Sequence, residues 1–154
     1  MKTKLTVNGK LISVHFSPRD RLLDVLRKHG FTEVKEGCRD GECGACVVLL
    51  NGKLVNSCQV LAASAMDTEV TTVKGLSSES ATPIQEAFVD SGAVQCGFCT
   101  PGMVLATYAL LQENPKPDAG HIRQALDGNL CRCTGYVKII EAVQLAALRT
   151  KHHG

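Results

Sequence analysis

The sequence predicts an α+β protein in two parts, a small mixed sheet over residues 1–76 and a helical unit over residues 77–154. Three observations predict it. Short alternating apolar runs separated by Asn-Gly pairs fill the first part, as strands joined by tight hairpins require. Apolar residues at helical spacing, opened by Pro or Asp and closed by Gly or Pro, fill the second. The eight cysteines divide four and four between the parts, although no sequence repeat joins them.

The elements follow in order. Lys4 to Val7 and Leu11 to Val14 read as strands around Asn8-Gly9, the pair a type I′ turn prefers. Ser17-Pro18-Arg19-Asp20 supplies helix-start chemistry, Leu22, Leu23, Val25 and Leu26 form one apolar face, and Gly30 offers a stop. After the glycine-rich loop EGCRDGECGAC, Val47 to Leu50 resembles a buried strand, returning through Leu54 and Val55 after a second turn at Asn51-Gly52. A short helix is expected over Val60 to Ala65 and a last strand over Glu69 to Val73. The polar run KGLSSESAT, residues 74–82, reads as the linker. Helices are then expected from Pro83 to Val89, from Thr100-Pro101 to Asn114-Pro115, from the Asp118 cap to Gly128, and from Thr134 onward. The last places Val137, Ile140, Val143, Ala147 and Leu148 on one face.

Composition narrows the function classes. Hydrophobic residues make up 44% and charged residues 21% of the 154, which fits a globular chain rather than a disordered one. Aromatics are only 4% and Trp is absent, so two units of about 75 residues have thin cores, the size at which metal or covalent staples help. A net charge of +2 without a long Lys or Arg run gives no surface for tracking nucleic-acid phosphates. No stretch approaches membrane-spanning length. The start, MKTKLTVNGKLISV, alternates and lacks the apolar block of a secretory signal, and no twin-Arg pair precedes it. The expected location is the cytoplasm, where structural disulfides are rare, so eight cysteines there point to metal or redox chemistry. The missing signal and the C-x-C pair likewise disfavour a secreted disulfide scaffold.

The first cysteine set, Cys38, Cys43, Cys46 and Cys58, has the spacing C-x4-C-x2-C-x11-C. A C-x4-C-x2-C run followed by a distant Cys is the plant-type 2Fe–2S ferredoxin spacing. Such a loop must wrap a small iron–sulfide rhomb and turn its amides inward, which Gly37, Gly41 and Gly44 permit. The alternative is a four-thiolate zinc site, but zinc motifs usually pair C-x2-C with C-x2-C. The second set, Cys96, Cys99, Cys131 and Cys133, is C-x2-C and C-x-C separated by thirty-one residues. Spacing alone leaves zinc or a redox dithiol open here. Each pair precedes an expected helix start, at Pro101 and at Thr134. A 2Fe–2S cluster with four thiolates carries a formal charge of about −2, about −3 when reduced, and helix N-termini favour such an anion.

Taken together, GCRDGECGACVVLLNGKLVNSC, AVQCGFCTPGM and GNLCRCTGYVKI resemble the small iron–sulfur subunit of molybdenum hydroxylases of the xanthine dehydrogenase family. The likeness spans nearly the whole chain, and all eight cysteines fall on the family's pattern. It implies an N-terminal β-grasp ferredoxin-like domain followed by a C-terminal four-helix 2Fe–2S-binding domain. It implies that Cys96, Cys99, Cys131 and Cys133 hold the cluster beside the molybdopterin, and that Cys38, Cys43, Cys46 and Cys58 hold the cluster on the flavin side. Gln95 would hydrogen-bond the pterin and Cys133 would lie against its edge. Molybdopterin and FAD would sit on a large and a medium partner subunit, in a dimer of heterotrimers. The chain has no GxGxxG or other nucleotide loop. It would bind no substrate itself, and would convert a two-electron oxidation at molybdenum into single transfers that a flavin collects.

Other residues carry plainer expectations. Arg132 reads as an interface or surface charge, Thr100 and Thr134 as helix caps, and Lys35 and Glu36 as a solvated loop edge. Met103 and Phe98 read as packing, His29 and His121 as structural, and His152 and His153 as a solvated tail. No Ser–His–Asp arrangement or paired-carboxylate signature supports hydrolysis. A free ferredoxin-type carrier would need only the first half of the chain, and a zinc-stabilised binding module would be colourless.

Overall fold

The computed structural model describes residues 2–150, so His152 and His153 lie outside the described residues. Strands β1 (Lys2–Val7) and β2 (Lys10–His15) precede helix α1 (Leu22–Lys28). Strands β3 (Val47–Leu50), β4 (Lys53–Asn56) and β5 (Glu69–Thr71) complete the sheet. Short 3₁₀ turns occupy Ser57–Gln59, Ala62–Ala65 and Val73–Gly75. Four helices follow: α2 (Ser78–Asp90), α3 (Thr100–Glu113), α4 (Ala119–Leu126) and α5 (Val137–Thr150). Among the described residues no helix is long and apolar enough to cross a membrane.

The sheet runs β2-β1-β5-β3-β4, with β1 and β5 parallel and the other neighbours antiparallel. Both hairpins turn on Asn-Gly with positive φ, 52° and 72° at Asn8-Gly9 and 49° and 79° at Asn51-Gly52. Each turn Asn also binds the incoming central strand: Thr72 N–H donates to Asn8 Oδ1 at 2.8 Å, and Glu69 N–H to Asn51 Oδ1 at 2.8 Å. Helix α1 lays Leu22, Leu23, Val25 and Leu26 on one sheet face against Leu5, Val7, Val14 and Val48, which gives the β-grasp arrangement. The helical unit packs Ile84, Ala87 and Phe88 of α2 against Ile139, Ala142, Val143 and Ala146 of α5, with Met103 and Ile122 in the same core.

The continuous apolar run Val47 to Leu50 has a structural reason. Val48 faces the α1 core, whereas Val47 and Leu49 point to the other face and meet Leu105 of α3. A strand buried on both faces shows no polar alternation. The contact also places the start of α3 against the start of β3, where cysteines from both parts lie.

Several boundaries differ from expectation, among them the last strand, which ends at Thr71 rather than Val73. Helix α1 begins at Leu22 rather than in Ser17–Asp20, because the Asp20 carboxylate accepts Ser17 N–H at 2.8 Å and closes a turn, while Arg21 bridges to Leu61. That bridge keeps Leu61 extended, so the helix expected over 60–65 shrinks to Ala62–Ala65. The polar run 74–82 is largely not linker: α2 starts at Ser78 and contains Pro83. Proline there forfeits a single helical hydrogen bond near the N-terminus, and Ala81, Pro83 and Ile84 are buried in compensation. Helix α5 begins at Val137, not Thr134, because Gly135 and Tyr136 take left-handed φ of 65° and 70°, which a right-handed helix excludes. Asp118 caps α4 as expected, accepting His121 N–H at 2.9 Å.

One buried carboxylate ties the connector to the first part. Glu33 accepts the Thr72 hydroxyl at 2.7 Å, and Lys74 lies 3.3 Å from its second oxygen, an ion pair without hydrogen-bond geometry. The largest fully buried side chain is Phe88, in the α2–α5 core. Phe88→Ala is expected to lower unfolding free energy by about 3–5 kcal/mol, measured as a shift in denaturant midpoint.

Candidate metal centres

The first cysteine set is assembled by a loop and a hairpin. Residues 37–45 form an irregular loop whose φ is positive at Arg39, Gly41 and Gly44 (65°, 89° and 66°). Arg39 holds the loop to its surroundings through ion pairs with Asp24 and with Glu36, the latter at 2.6 Å. Cys46 stands just before β3. Pairing of Val47 with Asn56 carries Cys58 back beside it, and Ser57 donates both N–H (3.3 Å) and hydroxyl (2.7 Å) to the Cys46 carbonyl. The spacing of eleven residues is thus the length of a tight antiparallel hairpin.

Donors converge on the sulfurs. Cys43 N–H points to Cys38 Sγ at 3.4 Å, and Ala45 N–H to Cys43 Sγ at 3.5 Å. The Gln59 amide donates to Cys58 Sγ at 3.3 Å and to the Arg39 carbonyl at 3.0 Å. A Cβ on Gly37 would lie 2.6 Å from Cys43 Sγ, so a side chain at that position collides with the sulfur. Cys46 and Cys58 are buried, Cys38 and Cys43 partly exposed. Burial pushes the Cys46 thiol up to about 11, and neighbouring Cys58 adds to the rise.

The second set lines a cavity of about 450 Å³ bounded by Phe98, Leu130, Arg132 and Tyr136 as well as its four cysteines. Cys99 is the N-cap residue of α3, so the C-x2-C pair does meet a helix N-terminus. The C-x-C pair does not, because the turn at 134–136 separates it from α5. Thr134 and Thr100 therefore are not caps; Thr100 is the first residue of α3. The Thr134 hydroxyl instead donates to Cys131 Sγ at 3.1 Å while its oxygen accepts Tyr136 N–H at 3.2 Å. The Tyr136 hydroxyl in turn accepts Cys131 N–H at 2.8 Å. Burial pushes Cys131 up, but the Thr134 hydroxyl and nearby amides outweigh it and leave the thiol below its ordinary value. Burial, with Cys131 close by, pushes Cys99 up to about 12.

The sulfurs gather in pairs. Cys38 faces Cys43 and Cys46 faces Cys58. Cys96 and Cys133 lie 3.6 Å apart, and Cys99 faces Cys131. Among the described residues, no three Cys, His, Asp or Glu side chains gather as one metal ion requires. Two thiolates per iron on a binuclear cluster need this pairwise arrangement, and the donor set and inward amides suit that anion. The residues therefore fit two 2Fe–2S groups.

The comparisons agree. Residues 5–73 match the family described as 2Fe-2S iron-sulfur cluster binding domain, and residues 72–144 the family described as [2Fe-2S] binding domain. The chain is 48% identical over 147 residues to the nicotinate dehydrogenase small FeS subunit of Eubacterium barkeri, covering 94% of both chains. It is 46% identical over 141 residues to the xanthine dehydrogenase iron-sulfur-binding subunit of Escherichia coli O157:H7, covering 90% of this chain and 89% of that one. The chain belongs to the small iron–sulfur subunits of the xanthine dehydrogenase family of molybdenum hydroxylases. Its fold superposes on quinoline 2-oxidoreductase from Pseudomonas putida 86 with a TM-score of 0.91 at 40% identity, over 99% of this chain and 96% of that one. This iron–sulfur subunit thus contains two 2Fe–2S-binding domains, a β-grasp and a helical one.

Other expected residues are placed plainly. Gln95 is exposed immediately before Cys96, Arg132 is exposed, and Met103 is fully buried. Phe98 is not core packing: it is 46% exposed on the rim of the second set. Glu36 is exposed but pairs with Arg39, and His29 Nδ1 meets the Val25 carbonyl at 2.8 Å. Gln59, Thr134 and Tyr136 were not expected to serve the sulfurs. Gln59 and Thr134 adjoin Cys58 and Cys133, which was the available signal; Tyr136 stands three residues past Cys133, and the direction of all three side chains was not legible.

Gly37→Ala is expected to reduce iron and acid-labile sulfide from about four of each per chain to about two, with one electron paramagnetic resonance signal retained. Thr134→Val is expected to keep both clusters and to lower the reduction potential of one, read by redox titration of the two signals, because a thiolate without its O–H donor stabilises the reduced form less.

Proposed function

We propose that this subunit carries single electrons from a molybdopterin centre on a large partner subunit to FAD on a medium partner subunit. The observation that carries the reading is the junction of the two cysteine loops. Leu130, the residue before Cys131, donates its N–H to the carbonyl of Cys43 at 2.9 Å. One hydrogen bond therefore joins the backbone of one set to the backbone of the other. When bound, a 2Fe–2S cluster accepts and returns one electron at a time.

In this reading Cys96, Cys99, Cys131 and Cys133 hold the group that meets the molybdopterin, and Cys38, Cys43, Cys46 and Cys58 hold the group that meets the flavin. The two domains divide at residues 76 and 77. The rims support the order. The second set is bordered by exposed Phe98 and Leu130 beside Arg132, a largely apolar margin of the kind that permanent interfaces bury. Exposed Gln95 lies within that margin, where its amide can hydrogen-bond the pterin, and exposed Cys133 can lie against the pterin edge. The first set is bordered by exposed Arg39, Asp40 and Glu42, a charged margin suited to a different partner surface. Buried Cys46 and Cys58 exclude water from the inner side of that set.

The chain's role is to hold, space and insulate; substrate is bound elsewhere. A dimer of heterotrimers in the cytoplasm is the proposed assembly. Purification under anaerobic conditions should bring down two larger chains, one with molybdopterin and one with FAD; isolation as a lone carrier contradicts the reading. In the assembled enzyme, Cys133→Ala is expected to abolish flavin reduction by substrate while molybdenum is still reduced, followed by stopped-flow absorbance. Unchanged flavin reduction refutes the order.

A further inference from the structure

We infer that Asn129, Gly44 and Gly102 form a junction that fixes the spacing of the two cysteine sets, with Asn129 as its positioning residue. The inference rests on the electron-relay reading for its purpose, but its geometry stands apart from that reading. Three backbone segments cross here: the first cysteine loop at Cys43–Gly44, the first turn of α3 at Gly102, and residues 128–130 before the C-x-C pair.

The crossing leaves no room for side chains. A Cβ on Gly44 would lie 2.2 Å from the Gly128 carbonyl oxygen and 2.6 Å from Asn129 Nδ2. A Cβ on Gly102 would lie 2.6 Å from the Gly44 carbonyl oxygen. These obstacles are largely backbone, so no side-chain rotation relieves them. Gly44 also has φ of +66°, a second reason for glycine. Asn129 is the polar group that fills the crossing. It is 4% exposed, and its Nδ2 donates to the Gly44 carbonyl at 3.2 Å. Its own N–H is spent on Leu126, and Leu130 N–H reaches Cys43. The Asn129 side chain thus clamps the carbonyl next to the one that Leu130 binds.

The domains have an independent contact in Val47, Leu49 and Leu105, so loosening the crossing need not part them. Asn129→Leu keeps the number and branching of side-chain heavy atoms and removes the donor, leaving the Gly44 carbonyl with only the Val47 N–H at 3.4 Å. Gly102→Ala pushes the first loop away from α3.

The test uses the assembled enzyme, chemically reduced so that both clusters are paramagnetic whatever the substrate does. Dipolar coupling between them falls with the cube of their separation. Both variants are expected to retain wild-type iron and sulfide, both resonance signals and both midpoint potentials, while the coupling falls measurably below the wild-type value and Leu130 N–H exchanges faster with solvent. Substrate-driven flavin reduction should slow several-fold as well. Wild-type coupling and wild-type Leu130 protection in Asn129→Leu overturn the inference. If Gly102→Ala loses a cluster, Asn129→Leu, which adds no side-chain heavy atom, decides alone. Failure of the wild-type enzyme to pass electrons from substrate to flavin would refute the relay and leave the coupling measurement to judge the junction.

Discussion

Holding four thiolates against one another is the constraint on which each half of this molecule is built. Ionised sulfurs that close repel one another, and burial penalises the inner ones further, pushing the thiols of Cys46 and Cys99 up. Iron supplies the compensating charge, and the chain supplies what iron cannot: amide and hydroxyl donors aimed at sulfur. The first half meets the demand with a loop that repeatedly enters left-handed backbone, turning N–H groups of Cys43 and Ala45 inward. The second meets it with a helix N-terminus behind Cys99 and a Thr134 hydroxyl on Cys131.

Both solutions are local, but neither half is positioned by itself. Strand β3 is shared: one face belongs to the α1 core and the other to α3. Cys46 immediately precedes this strand, and Cys99 caps the helix that covers it. The two metal sites are therefore anchored to opposite sides of one packed layer, and the glycine crossing at 44 and 102 lets their loops touch. Thin cores of small apolar residues suffice because each is stapled by its own cysteine set as well as by the other domain.

Much of this was legible in the chain. Asn8-Gly9 and Asn51-Gly52 adopted the turns their residue types demand, and Asp118 capped its helix, because a turn or cap is decided within about four residues. Helix boundaries were legible only where nothing distant intervened. Leu61 was pulled into a bridge with Arg21, and Pro83 was carried into α2 by burial of its flanks, neither of which appears in local spacing. Thr134 looked like a cap and became a sulfur donor, since its hydroxyl proton was directed by Tyr136, two residues on.

The sequence by itself determined the chemistry of the first cysteine set, the strand-then-helix division and the hairpins, because each depends on residue type at short fixed spacing; the second set was legible through its likeness to a family. Tertiary structure alone decided which sulfurs pair, which donors reach them, and that Leu130 and Asn129 clasp the loop around Cys43 and Gly44 from 85 residues away. Contacts across that separation are fixed by packing of whole elements, and a short stretch of sequence holds no record of the partner it will meet.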